Sequence, residues 1–189
     1  MLGNNINYER DEEVVKRVQD GDTESFGVLV ERYEVKIKRY ARKFLSNVED
    51  IADIVQEIFI KAFTNIRSFD TDKKFSSWLY RIAHNELVNV LKKKGKNPLA
   101  FFDPDTFFPH PIAKETADGN VKNSEIRKAL DKCLDELPAR YREPLILYYI
   151  EELDYKEIAD IMHVPISTIG VRLKRGKKIL KSICKKIGI

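Results

Sequence analysis

The sequence predicts an all-α protein built as two small helical domains joined by an irregular linker. Three observations carry this. Apolar residues recur at three- and four-residue spacing along most of the chain. No stretch alternates polar and apolar residues for long enough to make a strand. The helical rhythm breaks decisively only once, over a proline-bearing segment.

Each helical run has its own stripe. Phe26, Leu29, Val30, Tyr33, Ile37, Tyr40, Ala41 and Phe44 share one face. Asp22 suits the N-cap of that helix, and Gly21 suits the end of a shorter helix before it. A second run joins Ile51, Ile54, Val55, Ile58, Phe59, Ala62, Phe63 and Ile66; a third joins Trp78, Leu79, Ile82, Ala83, Leu87, Val90 and Leu91. The rhythm stops at Lys96. Residues 97–123 hold Pro98, Pro104, Pro109 and Pro111, two Phe-Phe pairs and four carboxylates. A connection of that length without periodicity reads as a linker. Spacing resumes at Ile126, Leu130, Leu134 and Leu137, with Pro138 and Pro144 as punctuation. The expected domains are 1–96 and 124–189, with the linker at 97–123.

Composition sets outer bounds. Of 189 residues, 43% are hydrophobic and 34% charged, which allows a core under a charged surface and excludes wholesale disorder. The net charge of +4 hides an asymmetry. From Ile166 onward there are eight basic residues and no acidic one, whereas residues 143–160 carry six carboxylates against Lys156. Charge sorted this way gives different faces to different partners. No apolar run is long enough to cross a bilayer and the first twenty residues are polar. The expectation is therefore a cytoplasmic chain with no signal peptide and no membrane insertion. Cys133 and Cys184 are far apart in sequence and lack metal-ligand neighbours, so they read as two thiols. His84, His110 and His163 have no nucleophile or ligand partner at a telling spacing. No catalysis, metal or cofactor is expected.

The C-terminal domain carries the first functional motif. In DYKEIADIMHVPISTIGVRLKRGKKIL, Ile158, Ala159 and Met162 form the inner face of a short helix. His163-Val164-Pro165 breaks it, because proline disfavours a helical residue before itself. Ser167 or Thr168 then suits the cap of a second helix with Ile169, Leu173 and Leu180 inside and a basic outer face. This is the outline of a helix-turn-helix, whose second helix enters the major groove of DNA. Any two short helices around a proline turn share that outline, but Arg172, Lys174, Arg175, Lys177 and Lys178 crowd one helix without a compensating acid. Like charges repel there, and phosphate relieves the repulsion.

In the N-terminal domain, Asp53, Gln56 and Glu57 make a polar edge beside an apolar stripe, a pattern that by itself also fits a solvated face. Downstream, FDTDKKFSSWLYRIAHN sets Phe69, Phe75, Trp78 and Tyr80 among Lys73, Lys74 and Arg81. Aromatic rings beside cations suit single-stranded nucleic acid, since bases stack and phosphates pair. The same residues fit an aromatic core flanked by surface lysines equally well.

Resemblance decides between these. DIVQEIFIKAF followed by FSSWLYRIAHN resembles sigma region 2 of the extracytoplasmic-function (ECF) RNA polymerase sigma factors of bacteria. EIADIMHVPISTIGVRLKRGKKIL is similar to the helix-turn-helix of sigma region 4, and GDTESFGVLVERY resembles the family's first long helix. The resemblance implies promoter-directed transcription initiation in a stress or envelope regulon, with core RNA polymerase, promoter DNA and an anti-sigma factor as partners. It places Asp53, Gln56 and Glu57 on the β′ clamp helices. The loop 70–76, with Asp70, Lys73, Lys74, Phe75 and Ser76, falls where the family captures a flipped minus-ten base. Trp78, Arg81 and Asn85 support melting from the adjoining helix, and Lys92, Lys93 and Lys94 meet duplex phosphates. Ser167, Thr168, Arg172, Lys174, Arg175 and Lys178 fall on the helix that reads the minus-thirty-five element, while the first helices of that domain sit on the β flap. The linker follows the RNA exit path. The chain departs from the family pattern at Ser167, Gly170, Val171, Asn89 and His84. Two rivals fit less well: a regulator dimerising on palindromic sites leaves the aromatic-basic loop without a role, and a helical interaction module leaves the basic helix without a partner.

Overall fold

In the computed structural model, residues 9–93, 130 and 132–187 are described. They fall into two compact units divided between residues 94 and 95. Every regular element among them is helical. The linker at 97–123, Ile126 and Lys94 lie outside the described residues.

The first unit begins with α1 (Asp11–Gln19). Asp11, Glu12 and Glu13 lie in its first turn and Lys16 and Arg17 in its last, each sign at the end of the helix dipole that favours it. Val14, Val15 and Val18 bury its inner face. Gly21, at φ +115°, then turns the chain with a backbone that other residues resist. Asp22 is a cap as expected, but of a 3-10 turn (Thr23–Ser25) lying ahead of the long helix; its carboxylate accepts the Ser25 N–H at 3.3 Å. Helix α2 (Phe26–Ala41) follows, so Phe44 stands beyond its end.

Asn47 caps α3 (Val48–Asn65) by accepting the N–H groups of Glu49 at 2.7 Å and Asp50 at 3.3 Å. A 3-10 turn (Ile66–Ser68) leads to the loop 69–74 and then to α4 (Phe75–Lys93). Helix α3 packs between α2 and α4, and α1 lies across α2 and α4. Most of the expected stripe residues are buried, Leu29, Tyr33 and Ile37 on α2, Ile54, Ile58 and Ala62 on α3, and Leu79, Ala83 and Leu87 on α4, whereas Val30, Phe63, Trp78, Ile82 and Val90 are not. Edge-on ring contacts between Tyr33 and Phe75 (5.6 Å) and between Tyr40 and Tyr80 (5.3 Å) tie α2 to α4. Such pairs add about 0.5–1.5 kcal/mol each beyond their buried area.

The second unit starts, among described residues, with helical residues 130 and 132–136, of which Cys133 and Leu134 are buried. Pro138 precedes α5 (Ala139–Tyr149), and Pro144 lies inside that helix instead of ending it. A mid-helix proline forfeits a hydrogen bond. Burial of Tyr141, Pro144, Leu145, Ile146 and Leu147 holds the helix together across the gap. Helix α6 (Tyr155–Met162) opens with a reciprocal cap, in which Asp154 accepts the Glu157 N–H and Glu157 accepts the Asp154 N–H, both at 2.8 Å. It closes on His163 in the left-handed conformation, φ 53°, with the Val164 N–H returning to the Ala159 carbonyl at 3.2 Å.

Helix α7 (Ile166–Ile187) begins directly after Pro165, so Ser167 and Thr168 lie inside its first turn and not at its cap. Its backbone comes close to α5 at Gly176, where an added Cβ would stand 3.1 Å from a Leu145 methyl and 3.3 Å from the Tyr141 carbonyl. Nothing in the spacing of the sequence marks that glycine. The two cysteines, distant in sequence, meet here as free thiols. Burial and a hydrogen bond with Cys133 push the Cys184 thiol up to about 11.

Candidate polymerase and nucleic-acid interfaces

Asp53, Gln56 and Glu57 stand exposed on the outer edge of α3. Their i, i+3, i+4 spacing sets them on one side of the helix. Glu57 pairs with Lys61 at 3.4 Å, and Lys61 reaches across to Glu86 of α4 at 2.7 Å. Glu86, with Glu57 second, raises the pKa of the Lys61 ammonium and holds it charged. Beside this edge, a groove of about 540 Å³ runs between α2 and α3, lined by Phe26, Val30, Gln56, Phe59, Ile60 and Phe63. Phe63, expected in the core, is 40% exposed and Ile60 47%. Phe63 leans on the Phe26 ring at 5.1 Å at the groove wall. The polar edge therefore borders an open apolar surface, of which the residue pattern assigns Phe63 to the interior.

The loop between the 3-10 turn and α4 is small and polar. The Asp70 carboxylate accepts the Asp72 N–H at 3.1 Å and its carbonyl accepts the Lys73 N–H at 3.0 Å, making a tight turn. Asp70, Lys73 and Lys74 are exposed. Lys73 lies 3.4 Å from Asp70, an exposed pair of little energetic weight.

Phe75 corrects an expectation. It is 0% exposed, packed edge-on against Tyr33 and Phe69, and so belongs to the core and offers no stacking surface. Ser76 is half-buried beside the Tyr33 hydroxyl. Burial and the Asp11 carboxylate raise the pKa of that hydroxyl, so Tyr33 stays protonated and donates to Asp11. Trp78 is half-buried over Phe69 (5.1 Å) and Phe75 (5.8 Å). Arg81 and Asn85 are exposed one and two turns further along the same face of α4.

Two residues that no sequence pattern marks reach the ends of this loop. The Gln19 side-chain amide donates to the carbonyls of Ile66 at 2.7 Å and Phe69 at 2.9 Å. A Glu12 carboxylate oxygen accepts the Phe75 N–H at 3.1 Å.

On α7, Lys174, Arg175 and Lys178 project into solvent, and Ser167 is half-buried. Thr168 and Arg172 do not stand with them. Thr168 is 5% exposed and Arg172 2%, the latter the bulkiest of the fully buried side chains. The reason is helical phase: Thr168, Ile169, Arg172, Leu173 and Gly176 recur at three- and four-residue spacing, and that face packs inward. Neither can present a side chain to a base edge from this fold. Lys177 covers the Tyr149 ring at 5.7 Å, so its charge is engaged within the unit.

Known proteins match in both units. The model of Sigma-70 region 2 matches residues 29–97, and that of Sigma-70 region 4 matches residues 127–180. The chain is 35% identical over 175 residues to the ECF RNA polymerase sigma factor SigW of Bacillus subtilis (strain 168), covering 88% of this chain and 92% of that one. It is 32% identical over 176 residues to the ECF RNA polymerase sigma-E factor of Escherichia coli (strain K12), covering 90% and 92%. Among solved structures, the sigma factor RpoE from Bartonella quintana, in complex with the anti-sigma factor NepR, is similar at a TM-score of 0.61 and 26% identity, over 85% of this chain and 96% of that chain. Helical units, an exposed row of basic residues on α7 and both region matches in order converge: the chain belongs to the ECF RNA polymerase sigma factors, which recognise promoters and initiate transcription.

Proposed function

We propose that this chain docks on core RNA polymerase through α3 and carries the enzyme to promoters with two separate DNA-facing surfaces, α4 with its preceding loop and the outer side of α7. The observation that carries this reading is the sorting of α7: Lys174, Arg175 and Lys178 outside, Ile169, Leu173 and Gly176 inside. Cations gathered on one side of a helix fit a phosphate backbone. In the first unit, Asp70, Lys73, Lys74, Trp78, Arg81 and Asn85 form the minus-ten surface, with Lys92 and Lys93 at its far end. Phosphates meet Lys174, Arg175 and Lys178 at the minus-thirty-five element, and Ser167 is the half-exposed residue nearest the start of the helix.

The first unit's α3 edge meets the β′ clamp helices and the second unit's early helices meet the β flap. An anti-sigma factor, as in the complex of the similar RpoE, would restrain the chain until an envelope or other stress releases it. No described helix is long and apolar enough to cross a membrane, in keeping with work on DNA in the cytoplasm.

Docking is tested by Gln56→Ala combined with Glu57→Lys. Both side chains are exposed, so the fold should survive, while a reversed charge in the interface penalises the complex alone. Affinity for core polymerase, measured by fluorescence titration, should fall by about tenfold or more. A native circular dichroism spectrum with unchanged affinity would remove α3 from the interface.

A further inference from the structure

We propose that Glu12 and Gln19 of α1 are positioning residues for minus-ten capture: between them they hold both ends of the loop 70–74 and fix the shape in which it meets a base. This rests on the reading that the loop takes the minus-ten base. It adds a part of the chain that lies before the matched region 2 segment at residues 29–97.

The geometry is that of a brace. Glu12 and Gln19 sit seven residues apart, two turns, so they share a face of α1 and stand about 10 Å apart along it. Gln19 spends its amide hydrogens on Ile66 and Phe69 at the loop's entrance, and Glu12 meets the Phe75 N–H at its exit. The brace is itself anchored. Val14, Val15 and Val18 are buried beneath it, and Asp11 is held by Arg32 at 2.6 Å and by the Tyr33 hydroxyl.

The local sequence leaves this work undone. Helices α3 and α6 are capped by the residue before their first turn, Asn47 and Asp154. At the start of α4 that residue is Lys74, whose side chain has no acceptor to offer. The free N–H at Phe75 is met by a carboxylate from sixty-three positions earlier, placed at the positive end of the α4 dipole. Inside the loop the Asp70 turn and the weak Asp70–Lys73 pair act. Its two ends are fixed by α1 and by the Phe69–Phe75 ring contact at 5.9 Å. A loop ordered before DNA arrives binds without a further ordering cost.

The test uses the full chain assembled with core RNA polymerase. The probe is a fluorescein-labelled single strand carrying the non-template minus-ten segment of a promoter obtained by run-off transcription. Gln19→Leu and Glu12→Leu should each weaken strand binding about tenfold while core affinity stays at the parent value. Glu12→Gln keeps an oxygen to accept the Phe75 N–H and should bind like the parent. If Gln19→Leu folds poorly, the Glu12→Leu and Glu12→Gln pair carries the comparison alone. A Lys73→Ala, Lys74→Ala double variant runs in parallel. Weak binding by that variant with parent-like binding by both leucine variants overturns the brace and leaves the loop reading standing. Parent-like binding by all of them overturns both. Loss of core affinity together with strand binding assigns α1 a general folding role and also overturns the brace.

Discussion

Exchanging residues 70–74 for a glycine-serine stretch leaves the chain bound to core RNA polymerase and abolishes open promoter complexes. The replacement stops at Lys74 because Phe75 is core and Ser76 rests beside Tyr33; removing them would disturb the fold and not the loop alone. Flipping a base out of a duplex costs a few kcal/mol, which a pocket recovers by stacking and edge contacts. One loop of this size recovers it for one base. Opening a whole bubble needs the binding energy of the polymerase, so the free chain should bind promoter duplex weakly and leave it closed. Permanganate reactivity of promoter thymines is the check. Reactive thymines with the loop-exchanged holoenzyme, or with the free chain, would place melting elsewhere.

The second large effect is on stability. Arg172→Ala should lower the second unit's stability by about 3 kcal/mol or more, because it empties a fully buried site occupied by a large side chain. A melting temperature lower by roughly 10 °C or more follows for a unit of this size. Lys178→Ala should behave in the opposite way. Its side chain is exposed, so melting should be unchanged, all promoters should bind more weakly alike, and the salt slope should fall by about 1. Differential scanning calorimetry and salt-titrated binding separate the two. If Arg172→Ala melts like the parent and relaxes preference at one base pair, Arg172 reaches DNA after all.

Arg172 also shows where sequence reasoning succeeds and where it fails. The helices, their inner stripes and the proline turn were legible because burial imposes a three-four period, and Ile54, Ile58, Leu79, Ile169 and Leu173 all obey it. The same period places Arg172 between Ile169 and Gly176 on the inward face. Charge argued for the surface, and phase prevailed. Phe63 erred in the other direction: its stripe leads inward, but α2 and α3 part there and leave a groove. Phe75 was ambiguous between stacking platform and core, a choice that only the rings of Tyr33 and Phe69 decide.

Gln19 and Glu12 were invisible for a different reason. Their partners are backbone groups 47 to 63 positions away, and a hydrogen bond to a distant main chain leaves no residue pattern to read. The meeting of Cys133 with Cys184 is of the same kind. Asp53, Gln56 and Glu57, like Lys174, Arg175 and Lys178, stand exposed where helical spacing puts them.

Run-off transcription by core RNA polymerase on a pool of genomic promoter fragments, with and without the purified chain, tests the promoter-directing role most directly. The expected result is a small set of discrete transcripts that appear only with the chain present and begin at a common distance downstream of a two-part sequence motif. Core enzyme that binds the chain no better than a control protein, and yields the same transcripts with it as without it, would contradict that role.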